Sequence, residues 1–590
     1  MRLAATTTSH QLPFRPADFP TLCQALDYAA GGATGANFYS GRGELRARLS
    51  YRTLRRDAIA LARKLLALGL NPGDRVALIA ETDPHFLRFF FACQYAGLVP
   101  VPLPASVKLG AHTSYVAQLH RLLAGSHAAL AVASSGYLPF LEEAGAGLPL
   151  RQVAEPETFY RLADADRQPL PEPDPKRIAY IQYTSGSTRF PRGVVIPQHT
   201  AMANLAGIVQ HGVKLRPGDR CLSWLPFYHD MGLVGFVLVP VAAQTSVDYL
   251  DTRDFAMRPR QWLNLMTRTK ATVSFAPPFG YDLCARRLAA GEAARYDLRH
   301  WRVAGVGAEM IRPETLEYFA ETLAPAGFDR RAFLACYGMA ECTLGISFSP
   351  LYKGFRTTLV DTEALYEQRR VVLLDGTRPG GARGRYFVNC GIPLPGYEVQ
   401  IRDEAGRILG EHEAGIIHLR GPSVMAGYFE MPEETGAALD AEGWLDTGDI
   451  GYLDGGSLTI TGRQKDLIII HGRNIWPQDI EHIAESQPEV RAGGAVAFAA
   501  PAVGGDDGCL LMVECRATQA ERRAELASRL RQLVQRELAL ECRVELVPLH
   551  YLPRTSSGKL SRARARQMFV EAQREKSPAA GENWIAARSG

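Results

Sequence analysis

No two of the ten cysteines in this 590-residue chain stand in a CxxC pair, and the nearest spacings, Cys336 with Cys342 and Cys509 with Cys515, are too wide for one. That excludes a zinc knuckle and a dithiol redox motif, and leaves reduced thiols as the expectation. Lysine is scarce: nine of the 66 basic residues are Lys, so arginine is the ordinary carrier of positive charge and a lysine inside a motif is informative. With a formal net charge of +4 and no long basic block outside the last hundred residues, nucleic acid is excluded as a partner. Long apolar runs are missing too. The most apolar stretch, Phe86 to Leu103, carries Arg88 and Gln94 and ends in prolines, which indicates a core element and no transmembrane segment. Met1 to Pro20 holds Thr, Ser, His and Pro where a secretion signal needs an apolar segment, so a cytoplasmic location is expected.

What is present is ordinary globular material: 46% hydrophobic and 22% charged residues. A chain this long outgrows a single hydrophobic core, so a large body and at least one smaller domain are expected. Ser50 to Leu70 has apolar residues at helical spacing, Asn71-Pro72-Gly73-Asp74 makes a turn, and Val76 to Ala80 reads as a buried strand. The same alternation recurs through Phe86 to Gly97, Val99 to Leu103, His112 to Ala124 and Ala128 to Val132, and later at Ala271 to Phe275, Trp301 to Val306 and Phe333 to Cys336. It predicts an α/β fold with largely parallel sheets. From about 386 to 462 short alternating runs separated by Gly and Asp turns predict a β-rich subdomain. A new α+β unit begins after Arg463. The expected organisation is therefore a large domain over 1–462, a hinge at 463–466, a small domain over 467–576, and a mobile tail over 577–590.

The chemistry starts at residue 178. An apolar strand, Ile178 to Tyr183, runs into Thr184-Ser185-Gly186-Ser187-Thr188-Arg189-Phe190-Pro191-Arg192-Gly193. Hydroxyls and backbone N–H groups donate to phosphate oxygens, and glycine lets the backbone approach them. The loop is no Walker A motif, because G-x-x-x-x-G-K-[ST] is absent. Taken alone, such a loop also fits a surface turn.

This text resembles the signature Y-T-S-G-[ST]-T-G-x-P-K-G-V of the adenylate-forming superfamily: acyl-CoA synthetases, peptide-synthetase adenylation domains and luciferases. Arg189 stands where glycine is usual and Arg192 where lysine is usual. The second keeps the charge, although Arg and Lys differ around phosphate. The other superfamily motifs follow in order. Leu225 to Leu233 contains His229, which in the family helps gate the acyl pocket. Gly307-Ala308-Glu309 and Tyr337-Gly338-Met339-Ala340-Glu341 resemble the adenine-lining segments. The resemblance implies that Tyr337 stacks on the purine and that Glu341, with Thr184, holds Mg2+; an aromatic face and a hard carboxylate suit those tasks. Asp449, at the end of Gly443 to Asp449, is matched to the ribose hydroxyls. Arg463 is matched to the ribose and Lys465 to the hinge pivot, and Lys559 to the lysine that reaches into the site from the small domain. Thr184, His229, Glu341 and Lys559 are the implied catalytic residues, and Ser185, Gly186, Ser187, Thr188 and Arg192 join the nucleotide-binding set.

Within the superfamily the chain resembles fatty acyl-AMP ligases. Between the Glu341 motif and the β-rich subdomain it carries an extra segment, about 351–375, with the text Val360-Asp361-Thr362-Glu363-Ala364-Leu365. In that family the segment is thought to restrain the small domain. The resemblance implies ATP and Mg2+ as cofactors and a fatty acid as substrate. It also implies an acyl carrier protein in trans as acceptor, since no phosphopantetheine serine motif follows the last motif, and coenzyme A as a poor acceptor. The competing readings are a long- or medium-chain fatty acyl-CoA synthetase of the same fold, and a catalytically inactive homologue that binds nucleotide or fatty acid as a regulator.

Overall fold

The computed structural model describes residues 12–105, 112–184, 191–374, 384–470, 473–501, 507–538, 540–554 and 560–576. Its largest sheet has nine strands. Six central ones, Phe333–Gly338, Val303–Val306, Val273–Ala276, Arg220–Ser223, Ser246–Leu250 and Gly35–Tyr39, run parallel, and the edges are antiparallel. A second sheet of four parallel strands, ordered Val99–Leu103, Arg75–Ile79, Ala128–Val132 and Gln152–Ala154, lies in the N-terminal part.

Local chemistry sets the boundaries of the helices between these strands. Pro84–Ala96 starts with Asp83, whose carboxylate accepts from the Phe86 N–H at 2.9 Å, and with Pro84 in the first turn. It stops at Gly97, which takes the left-handed conformation (φ 68°) that closes a helix. Every residue from Phe89 to Ala96 is buried, so the most apolar stretch in the sequence is a core helix leading into the buried strand Val99–Leu103. Trp262, Tyr281, Trp301, Phe319 and Phe333 pack ring against ring behind the large sheet. Each fully buried aromatic contributes about 1.5–3 kcal/mol.

Within 386–462, Glu398–Arg402, Gly415–Arg420, Leu445–Asp454 and Ser457–Arg463 form one antiparallel sheet. The extra segment has structure of its own. Thr357–Asp361 is a strand and Thr362–Gln368 a helix capped by Asp361. The strand pairs with Gly384–Val388, which lies beyond the segment's expected end. Val360, Leu365, Val371, Phe387, Ala414 and Tyr452 make a small core beneath it.

The C-terminal part builds separate cores on the two faces of a three-stranded sheet, Val490–Pro501, Asp507–Cys515 and Cys542–Val547. Helices Pro477–Glu485 and Ala520–Leu538 bury Ile480, Ile483, Leu526, Leu530 and Val534 in one of these cores. Helix Arg562–Lys576 has no counterpart in the sequence reading; among its described side chains Ala565 and Phe569 are the two it places in a core, too weak a stripe to register. Between the two parts, Arg463 is the last residue of a strand and Lys465 sits exposed in the single turn Gln464–Asp466. Among the described residues no helix is long and apolar enough to cross a membrane.

Candidate active site

A cavity of about 1380 Å3 opens at the carboxyl ends of the parallel strands, where open α/β sheets bind their ligands. His229 follows the strand Arg220–Ser223, Phe279 follows Val273–Ala276, Ala308 and Glu309 follow Val303–Val306, and Tyr337 and Gly338 end Phe333–Gly338. All six line the cavity, together with Thr184, Arg192, Met339, Ala340, Glu341, Asp449, Arg463 and Lys465. Gly307 does not line it; a Cβ there would sit 2.7 Å from the Cys336 carbonyl, so the glycine lets two strand ends approach. Ala308 takes a left-handed backbone (φ 68°) at the turn that follows.

Asp449 is an acceptor shared by two motif residues. It is buried, its Oδ2 receives the Tyr337 hydroxyl at 2.7 Å, and its Oδ1 receives Arg463 Nε at 2.9 Å. The paired strands Leu445–Asp454 and Ser457–Arg463 place Asp449 directly opposite Arg463. The nearby carboxylate raises the Arg463 guanidinium above its ordinary range; burial pushes the Tyr337 phenol well up, and Asp449 adds to that. Three motif residues 112 and 14 positions apart thus meet at one carboxylate.

Glu341 is aimed by a strained turn. Thr343, a β-branched residue, sits at φ 69°, ψ −60°, and the Leu344 N–H donates to the Cys342 carbonyl at 2.8 Å across it. Such γ-turns are rare and strained, and strain of this kind gathers at functional sites. The Thr343 hydroxyl donates to the Ser423 carbonyl at 3.1 Å, and Gly338 leaves room for the Leu344 carbonyl, which a Cβ would meet at 1.8 Å. The Tyr428 hydroxyl donates to Glu341 Oε1 at 3.0 Å. Burial raises the Glu341 carboxyl above its ordinary range, the condition that a cation beside it would reverse. Among the described residues no three potential ligands cluster as a protein-made metal cage. Mg2+ is held with a nucleotide by one or two carboxylates plus the phosphates, and Glu341 presents its carboxylate to the cavity, so the residues present fit it.

His229 caps the short helix Asp230–Leu233, its Nδ1 accepting from Met231 N–H at 3.3 Å and lying 2.6 Å from Asp230 Oδ1. Gln182, two residues before the loop, donates from Nε2 to the Tyr228 carbonyl at 2.6 Å and so ties the loop's strand to the His229 segment. Beyond His229 the cavity turns apolar, with Val213, Leu215, Cys221, Phe236, Val273 and Phe275 on its walls. Gly305 is required there, because a Cβ would fall 2.1 Å from the Phe275 ring.

The second part of the chain closes one side. Arg312 pairs with Glu485, and Arg385 pairs with Asp479, which also accepts the Tyr366 hydroxyl at 2.7 Å. Arg562 bonds Asp466 Oδ2 at 2.6 Å and Glu481 Oε2 at 2.7 Å. Ser185, Gly186, Ser187, Thr188, Arg189 and Lys559 lie outside the described residues. Their flanks do not: Thr184 N–H donates to the Arg192 carbonyl at 3.0 Å, and Leu560 and Ser561 line the cavity. Sequence reasoning missed Gln182, Tyr428 and Arg312. Tyr428 is 87 residues from Glu341, and nothing in its local text, Gly427-Tyr428-Phe429, marks it out from a strand residue.

Residues 30–429 match the AMP-binding enzyme family and residues 472–565 match the AMP-binding enzyme C-terminal domain. A solved structure from a study of fatty acyl-adenylate ligases of Escherichia coli and Legionella pneumophila superimposes with a TM-score of 0.91. It is 49% identical and covers 95% of this chain and 100% of its own. A Caulobacter vibrioides protein provisionally named an acyl-CoA synthetase is 45% identical over 96% of this chain and 98% of its own length. The medium-chain-fatty-acid–[acyl-carrier-protein] ligase JamA of Moorena producens is 31% identical over 94% and 96%.

Proposed function

Because the chain belongs to the AMP-binding enzyme family and is a fatty acid adenylating ligase of the fatty acyl-AMP ligase type, we propose that it passes its acyl group to the phosphopantetheine thiol of an acyl carrier protein supplied in trans, with coenzyme A a poor acceptor. One observation carries the residue assignments: Tyr337 and Arg463 converge on buried Asp449 in the same cavity that holds Glu341 and an apolar arm. That arrangement has a place for each part of an acyl-adenylate. Tyr337, Ala308 and Glu309 take the adenine, Asp449 and Arg463 the ribose, and the arm beyond His229 the alkyl chain.

In the first half-reaction a carboxylate oxygen attacks the α-phosphorus of ATP and the bond to pyrophosphate breaks. Orientation and preorganised charge carry this step. Thr184 and Arg192 hold the two ends of the phosphate loop, and Lys559 is assigned to the developing negative charge between carboxylate and α-phosphate. Mg2+, held by Glu341 and Thr184, would neutralise phosphate oxygens. In the second half-reaction a thiol attacks the acyl carbon, the bond to the AMP oxygen breaks, and the thiol proton is lost. We assign 463–466 as the hinge between the two halves, with Lys465 as the pivot.

The preference for a carrier protein rests on contacts that the extra segment, and the strand Gly384–Val388 paired with it, make with the small domain. Tyr366 and Arg385 both bond Asp479, and the Tyr366 ring lies 6.1 Å from that of Trp476. Deleting 351–375 outright would unpair the strand Gly384–Val388, so point variants are the cleaner test. Tyr366→Phe with Arg385→Ala should keep acyl-AMP formation and raise acyl-CoA formation severalfold. No gain in acyl-CoA would remove this explanation of acceptor choice.

A further inference from the structure

Tyr428 stands where two parts of the site meet. Its backbone pairs with Val194 and that of Gly427 with Val195, on the strand that leaves the phosphate loop. Phe429 N–H donates to the Gly193 carbonyl at 2.7 Å, and Tyr428 N–H donates to Thr435 Oγ1 at 2.9 Å. The residue is therefore fixed from both sides, and its side chain is buried. Gly427 is held at φ 143° with Thr435 against it, where a Cβ would come within 2.8 Å, so the approach to Tyr428 has no slack.

From that anchor the side chain reaches both ways. The guanidinium of Arg192, the last charged residue of the loop, lies 5.0 Å over its ring, a distance at which a cation is attracted to an aromatic face. Its hydroxyl donates to Glu341 Oε1 at 3.0 Å. The same segment holds Glu341 a second time, through the Met425 N–H on the Glu341 carbonyl at 2.8 Å. One side chain thus orients the carboxylate assigned to Mg2+ and the arginine assigned to phosphate.

We propose that Tyr428 is a positioning residue for adenylation, its hydroxyl setting the Glu341 carboxylate and its ring setting Arg192, so that cation and phosphate sites are held in one register. This rests on the assignment of Glu341 to Mg2+. The two functions of the side chain separate chemically. Phenylalanine keeps the ring and loses the donor; leucine loses both. Groups that orient a metal's carboxylate commonly change metal affinity about tenfold or more when removed.

The test measures ATP affinity of the full chain by titration calorimetry in EDTA and in Mg2+, the Mg2+ concentration for half-maximal acyl-AMP formation, and the melting temperature. Tyr428→Phe should melt with the wild type, bind ATP normally in EDTA, and need about tenfold more Mg2+. Tyr428→Leu should in addition bind ATP several-fold more weakly in EDTA. A purely structural role would weaken binding equally with and without Mg2+, or would follow the melting temperature, and either result overturns the proposal. Glu341→Gln locates the failure. If it abolishes the Mg2+ dependence while Tyr428→Phe behaves as wild type, the Tyr428 proposal alone falls. If Glu341→Gln leaves the dependence intact, the assignment of Glu341 falls and takes the proposal with it.

Discussion

Replacing Asp449 by alanine should erase the enzyme's ability to sense a ribose hydroxyl. A carboxylate offers about four acceptor positions on two oxygens. Tyr337 takes one on Oδ2 and Arg463 one on Oδ1, so each oxygen retains a position for a ribose hydroxyl. A hydrogen bond to a charged group contributes about 1.5–3 kcal/mol, or roughly 10- to 150-fold in kcat/KM per hydroxyl. The assay is ATP–pyrophosphate exchange with ATP and with 2′-deoxy-ATP, at saturating fatty acid. The wild type should disfavour the deoxy nucleotide by that factor, and Asp449→Ala should treat the two nearly alike. Arg463 is 57% exposed at its side chain and can return to water, whereas the buried Tyr337 hydroxyl loses its acceptor. The variant should therefore also lose about 1–3 kcal/mol of stability. Asp449→Asn keeps an acceptor and separates that cost from the lost discrimination. Unchanged discrimination in Asp449→Ala would refute the placement of the ribose.

Three further outcomes follow from the geometry. Gly338→Ala should abolish adenylation and lower the melting temperature, because its Cβ would lie 1.8 Å from the Leu344 carbonyl; Gly436→Ala, with open space around it, serves as the control. Burial pushes the Glu81 carboxyl up to about 7 from an ordinary 4.5, even though Ser134 bonds it. Its folded value exceeds the unfolded one, so the folded chain keeps the proton longer. Stability should then fall by up to about 3 kcal/mol as pH rises from about 4.5 to about 7 and level off above. Denaturant melts of Glu81→Gln across that range should show a flatter profile. Asp479→Ala removes the acceptor shared by Tyr366 and Arg385, and hydrogen exchange of the helix Pro477–Glu485 should speed up while that of Pro84–Ala96 stays the same.

The parallel core was legible because its signal is local. Ala128–Val132 and Val99–Leu103 have the bounds their apolar runs suggest, and the helix at 84–96 carries its start and stop in Asp83, Pro84 and Gly97. The motif residues were legible through their order along the chain, and Thr184, His229, Tyr337, Glu341, Asp449 and Arg463 do line one cavity. What the sequence hid is pairwise geometry. Tyr428 touches Glu341 across 87 residues, Tyr366 touches Asp479 across 113, and Arg312 touches Glu485 across 173. None of these pairs leaves a trace in local periodicity. The strain at Thr343 was equally hidden, since nothing in Glu341-Cys342-Thr343-Leu344 requires a γ-turn until the Ser423 carbonyl and Gly338 impose it.

The most direct test incubates the full chain with labelled fatty acids of graded length, ATP and Mg2+, and adds no acceptor, coenzyme A or a phosphopantetheinylated carrier protein, resolving acyl-AMP, acyl-CoA and acyl-carrier. The account predicts acyl-AMP without acceptor, little acyl-CoA, and transfer to the carrier. Efficient acyl-CoA formation, equal to or above transfer to the carrier, would contradict it.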